Sequence, residues 1–161
     1  MRSWGDPVCH PSTEKGYKME QQDVVARKHV LVIDDEPDIS SYIASILEGS
    51  QYSVQTANSA MEGETIIRNR RPDLILLDLM MPGRTGIQFF VRLKGNEETK
   101  DIPLIMVTGI KDKLNIDWQE IVSKLKARVP DGFVEKPIEP VHLMNVVEEV
   151  LTQTGQPEQR A

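Results

Sequence analysis

Five times between residues 29 and 151, a short apolar run gives way to a stretch that is polar and helical in spacing, or bounded by helix signals. No single residue constrains the fold as much as this alternation, because each run is too short to be a helix and too apolar to be a surface loop. His29–Ile33 is rich in branched residues and suits a buried parallel strand. Pro37 to Glu48 then places Ile39, Ile43, Ile46 and Leu47 at helical spacing, with Pro37 in the first turn and Gly49 as the stop. Tyr52–Thr56 alternates like a second strand. Ser59 with Glu62 three residues later forms a capping-box pattern for a helix to about Arg70.

The pattern continues with Leu74–Leu77, a turn at Pro82-Gly83, and a third helix from Ile87 to Leu93. Pro103–Val107 is the fourth strand, with proline first, where a missing N–H costs least. Asp117 and Glu120 repeat the capping-box spacing and predict a helix through about Arg128. Asp131-Gly132 turns into a fifth strand, Phe133–Glu135, and Val141, Leu143, Met144, Val147, Val150 and Leu151 define a last helix. Five strand-then-helix units predict an α/β fold in which a doubly wound parallel sheet is covered on both faces, since parallel crossovers are right-handed and need helices.

Residues 1–28 lack periodicity and are expected to be a flexible leader; residues 29–151 are expected to be the one folded domain, followed by a polar tail at 152–161. Cys9-His10 offers two adjacent ligands without partners, a poor metal site. With one cysteine there is no internal disulfide, and no apolar run approaches the roughly 18 residues of a membrane helix. A cytoplasmic protein is expected. The formal net charge of -6 disfavours nonspecific binding to nucleic acid or anionic lipid, which relies on clustered Lys and Arg. Arg68-Asn69-Arg70-Arg71 has no interleaved aromatics and reads as a solvated helix end.

The chemistry-bearing residues gather at the carboxyl ends of predicted strands: Asp34-Asp35 after the first, Asp78 after the third, Thr108 after the fourth and Lys136 after the fifth. Open α/β sheets bind ligands outside those ends. Each residue alone has a plain structural reading as turn, cap or loop. An acid pair, an acid, a hydroxyl and a lysine on four separate strand ends are hard to assemble by accident.

The stretches Val30-Leu31-Val32-Ile33-Asp34-Asp35-Glu36, DLILLDLMMPGRTG at 73–86, PLIMVTG at 103–109 and GFVEKP at 132–137 resemble the response-regulator receiver family of two-component signalling. The resemblance covers residues 29–151 and implies a (βα)5, flavodoxin-like sheet with strand order 2-1-3-4-5. It implies a stand-alone receiver of bacterial type, in which Asp78 accepts a phosphoryl group from a histidine kinase or histidine phosphotransfer protein. It further implies Mg²⁺ (or Mn²⁺) held by Asp34, Asp35, Asp78 and the backbone carbonyl of Met80, with Asp34 acting through water. Close carboxylates repel, and a hard divalent cation relieves that repulsion. By the same resemblance Lys136 and Thr108 contact phosphoryl oxygens, Lys136-Pro137 is cis, and Thr108 with Phe133 forms the switch.

Phe133 lacks the hydroxyl of a tyrosine and has the alternative reading of a core residue. Gly109 stands where many relatives have alanine, and 28 positions separate Thr108 from Lys136, longer than the family leads one to expect. The extra length falls at 110–116, close to Trp118, a core anchor or an exposed contact. Met80 and Ile110, each two residues past a site residue, cannot orient a hydrolytic water, which predicts a long-lived aspartyl phosphate. The expected partners are the phosphodonor and a downstream protein whose identity the sequence does not carry. A phosphorylation-dependent homodimer is compatible with the resemblance; direct nucleic-acid or membrane contact is not expected. The protein is expected to catalyse only its own phosphorylation and dephosphorylation. Two other readings are an aspartyl-nucleophile phosphatase or phosphotransferase for small molecules, and a pseudo-receiver that works without phosphorylation. The first wants an acid two residues past the nucleophile, where Met80 stands; retention of all five site residues opposes the second.

Overall fold

The computed structural model describes residues 26–83, 86–109, 123 and 129–155. Residues 1–25 of the expected leader with Cys9-His10, the helix from Asp117 to Arg128 apart from Ser123, Trp118, Ile110 and most of the tail lie outside the described residues. The elements in order are β1 (His29–Ile33), α1 (Pro37–Glu48), β2 (Ser53–Ala57), α2 (Ala60–Asn69), β3 (Leu74–Asp78), α3 (Gly86–Gly95), β4 (Leu104–Thr108), β5 (Gly132–Glu135) and α4 (Pro140–Thr154).

All strand pairs are parallel, and the order is β2-β1-β3-β4-β5, the order expected. Every residue of β1, β3 and β4 is buried. Successive strand side chains point to opposite faces, and the core divides accordingly. Leu31, Ile33, Ile75, Leu77, Leu104 and Met106 meet Ile66, Ile67, Phe89, Phe90 and Leu93 from α2 and α3. Their neighbours Val30, Val32, Leu74, Leu76, Ile105 and Val107 meet Ile43, Leu47, Leu143, Val147 and Val150 from α1 and α4. A strand apolar at every position is therefore what a sheet covered on both faces requires.

Element boundaries move by a residue or two from those read in the sequence. Two changes concern the site: Asp78 and Thr108 are the last residues of β3 and β4 rather than the first residues beyond them. At the end of α1, Gly49 is the C-cap but stays right-handed (φ -61), and the left-handed residue is Gln51 (φ 75). The helix stops where expected by a different device. At α2, Ser59 Oγ accepts from Glu62 N–H at 3.2 Å, while the Glu62 carboxylate accepts from Asn58 N–H at 2.8 Å instead of from Ser59. The reciprocal half of the capping box has slipped one residue outward. Gly83, at φ 81, takes the left-handed turn that Pro82-Gly83 predicts.

Below the sheet, Lys94 at the end of α3 is buried and donates to the carbonyls of Ile102, at 2.6 Å, and Lys100, at 3.3 Å. It also pairs with Asp131 at 3.4 Å, which accepts from Leu104 N–H at 2.9 Å as well. One ammonium thus ties the end of α3 to the starts of β4 and β5. Among the described residues no helix is long and apolar enough to cross a membrane.

Candidate functional site

Strand order reverses between β1 and β3, and the loops that leave their carboxyl ends must part to opposite faces of the sheet. Asp34 and Asp35 lie on one of those loops and Asp78 ends β3 beside it. One carboxylate oxygen from each of Asp34, Asp35 and Asp78 lies within 4.8 Å of the others. Three acids from two separate stretches of chain therefore face one point. Hard divalent cations favour oxygen donors of this kind, so the set fits Mg²⁺ or Mn²⁺.

Backbone donors hold the acids in place. Asp34 Oδ1 accepts from Glu36 N–H at 2.9 Å, and Asp78 Oδ1 accepts from Met80 N–H at 3.2 Å. Asp34 N–H itself donates to Ala57 O at 3.1 Å, extending the β1–β2 ladder past the strand end. Lys136 enters from β5 and its N–H donates to Thr108 O at 2.7 Å, which seats the loop against β4. Its ammonium lies 2.9 Å from Asp34 Oδ2, 3.5 Å from Glu36 Oε1 and 3.7 Å from Asp78 Oδ1. The Lys136-Pro137 bond is cis, as expected.

The electrostatics follow from burial. The Asp78 side chain is only 4% exposed, and its pKa is raised from 3.8 to about 6. Loss of solvent is the main cause; the Met80 N–H opposes it, Asp34 adds to it, Lys136 opposes it, and Asp35 adds least. Repulsion between carboxylates, the effect expected from their closeness, is thus secondary to desolvation. For Lys136, burial favours the neutral form, but the hydrogen bond to Asp34 and the charges of Asp78, Asp34 and Glu36 outweigh it and raise the pKa.

Thr108 is buried at the carboxyl end of β4, in register with Glu135, one residue before Lys136. Phe133 is 41% exposed, so it is not the core residue of its alternative reading. Thr108, Phe133 and Lys136 line one surface cavity with Pro137, Glu139 and His142. Met80 is 57% exposed.

Two residues at the site received no role from the sequence. Glu36 continues the acid pair into a run of three, the one signal it offered. Gly86 closes the loop after β3: its N–H donates to Leu79 O at 3.1 Å, and a Cβ there would stand 2.1 Å from Asp78 O. Only glycine fits against that carbonyl.

The profile of the response regulator receiver domain matches residues 30–148. This chain belongs to the response regulator receiver family. The receiver is 38% identical, over 129 residues, to the phosphate regulon transcriptional regulatory protein PhoB of Pseudomonas aeruginosa, covering 80% of this chain and 53% of that one. The chain spans about half the length of that relative. The receiver also resembles the solved chemotaxis protein CheY4 of Vibrio cholerae, with TM-score 0.67 and 26% identity over 78% of this chain and 99% of that one. A CheY-like receiver domain protein of Methanospirillum hungatei aligns with TM-score 0.68 and 27% identity, over 81% and 98% of the two chains.

Proposed function

We propose that the receiver accepts a phosphoryl group on Asp78 from a phosphohistidine of a kinase or phosphotransfer protein, and signals through protein contacts. The observation that carries this reading is the convergence of Asp34, Asp35 and Asp78 within 4.8 Å, with the Lys136 ammonium beside them. A carboxylate oxygen of Asp78 attacks phosphorus; the new O–P bond forms as the N–P bond to the donor imidazole breaks, and the ring leaves as neutral imidazole, keeping the proton already on its second nitrogen. Positioning and charge neutralisation carry such transfers. Asp34, Asp35, Asp78 and the Met80 carbonyl would hold Mg²⁺ or Mn²⁺, which would supply positive charge to offset that of the acids and of the phosphoryl group. Lys136 contributes a compact charge to one phosphoryl oxygen and Thr108 a hydroxyl donor to another.

The switch follows from the cavity that Thr108 shares with Phe133. Movement of the hydroxyl toward a phosphoryl group would leave space that the Phe133 ring fills, by packing alone. Catalysis is confined to the protein's own phosphorylation and dephosphorylation. A phosphatase or phosphotransferase for small molecules is disfavoured, because buried Leu79 and exposed Met80 follow Asp78 and neither protonates a leaving group. A phosphorylation-independent role is disfavoured by the intact acid cluster. The deciding experiment is mass spectrometry after treatment with acetyl phosphate and Mg²⁺. One added phosphoryl group in the wild type and none in Asp78→Asn is expected; an unlabelled wild type, or a labelled variant, contradicts the proposal.

A further inference from the structure

We propose that Glu36 is a positioning residue that shares the Lys136 ammonium with the acid cluster and competes with an incoming phosphoryl group for it. The inference rests on the phosphoacceptor reading above and goes beyond it. Lys136 Nζ has three donors and three carboxylates around it. Asp34 at 2.9 Å and Glu36 at 3.5 Å are within hydrogen-bond distance, whereas Asp78 at 3.7 Å is not. The ammonium therefore donates toward the β1 loop, with Asp78 Oδ1 kept at ion-pair distance only.

Glu36 acts on this pairing at both ends. Its backbone N–H fixes Asp34 Oδ1, and its side chain reaches the same ammonium that Asp34 Oδ2 accepts from. The backbone of Glu36 is itself pinned, since its carbonyl accepts from Ile39 and Ser40 N–H, both at 3.1 Å, at the head of α1. The two acids differ in what else they can do. Asp34 belongs to the three-carboxylate cluster; Glu36 does not, and its side chain is 63% exposed. With a cation on the cluster, its charge would oppose the Lys136–Asp34 pair, and Glu36, outside the cluster, would remain a counter-ion within reach of Lys136. A phosphoryl group must then outbid Glu36 for the ammonium.

The test measures labelling by acetyl phosphate and Mg²⁺ in wild type, Glu36→Gln, Glu36→Asp and, as a control of equal charge change on α1, Glu48→Gln. Glu36→Gln is expected to accelerate labelling about two- to fivefold, the range open to an ion pair with one exposed partner. Glu36→Asp keeps the charge but is one methylene too short to hold Nζ, so it should accelerate comparably. If negative charge merely repelled the donor, Glu36→Asp would match the wild type, and the proposal would be overturned. The gain should shrink at about 1 M salt, where exposed pairs are screened. In metal-free protein, the Lys136 Nζ resonance should shift in both Glu36 variants and stay fixed in Glu48→Gln; an unmoved resonance overturns the pairing directly. Labelling at equal rates in all four proteins rejects Glu36 alone. An unlabelled wild type rejects the phosphoacceptor reading and the competition with it.

Discussion

The carbonyl oxygen of Asp78 occupies the space that a side chain at position 86 would need, 2.1 Å from where its Cβ would be. The neighbours are backbone atoms, with Leu79 Cα at 2.8 Å, so the conflict is relieved only by moving the loop that presents the acceptor. Gly86→Ala should lower stability by about 1–3 kcal/mol, the usual cost of overpacking, and slow Asp78 labelling as well. Gly95→Ala, with nothing within 4 Å of its Cβ, is the matched control and should be near neutral. Urea unfolding of both variants checks this.

Burial of an acid without its cation makes stability depend on pH in a defined direction. Asp78 titrates at about 6 in the fold against 3.8 as an ordinary carboxyl, so the metal-free native state holds the proton more tightly than the unfolded chain. Stability should therefore fall as pH rises between those values and stay low above them, by on the order of 2–3 kcal/mol. Asp78→Asn should be the more stable protein at neutral pH without metal and lose that dependence. Adding Mg²⁺ should raise the melting temperature of the wild type and leave the variant nearly unchanged. Thermal melts across pH measure all of this.

His29, at the opposite end of β1, predicts the reverse slope. It is 3% exposed and neither ring nitrogen reaches a well-formed hydrogen bond. Burial, then the charge of Arg70, lowers its pKa, against weaker opposing pulls from the Ser53 backbone and Asp73. The unfolded chain then binds the proton better, and stability should be lost as pH falls below 6.5. His29→Leu strands no hydrogen bond and should hold its stability on the acid side relative to the wild type. Equal acid losses in the two proteins would show that His29 is not responsible.

Met80, exposed beside the cluster, has neither charge nor amide with which to orient water. The aspartyl phosphate should accordingly be long-lived, and Met80→Asn should shorten its lifetime. Loss of label followed over time in Mg²⁺ buffer tests both statements; wild-type decay within seconds contradicts the first.

Lys94 supplies a structural prediction away from the chemistry. Lys94→Met removes the donor shared by the Ile102 and Lys100 carbonyls and takes the Lys94 charge away from the partly buried Asp131. A loss of about 2–4 kcal/mol is expected, mostly from stranded acceptors, with Asp78 labelling retained in the folded fraction.

Much was legible because it is local or periodic. Runs such as Leu74–Leu77 can only be buried strands, and Asp34, Asp35, Asp78, Thr108 and Lys136 announced themselves by their place after such runs. The roles of Glu36 and Gly86 were not legible, though both stood within the quoted motifs. Glu36 matters through a lysine 100 positions away, and Gly86 through a carbonyl eight residues earlier. Phe133 could also be read as core, a reading its 41% exposure in the fold removes.

The sequence by itself determined a doubly wound parallel sheet and which residues would stand at its carboxyl edge, because alternation and strand length depend only on neighbours along the chain. The tertiary structure alone decided that burial outweighs repulsion in raising the Asp78 pKa, and that Lys136 rests nearer Asp34 and Glu36 than Asp78. Those outcomes depend on how much water and which charges surround each group. That is a matter of distances between segments far apart in sequence, and it exists only once the sheet has brought them together.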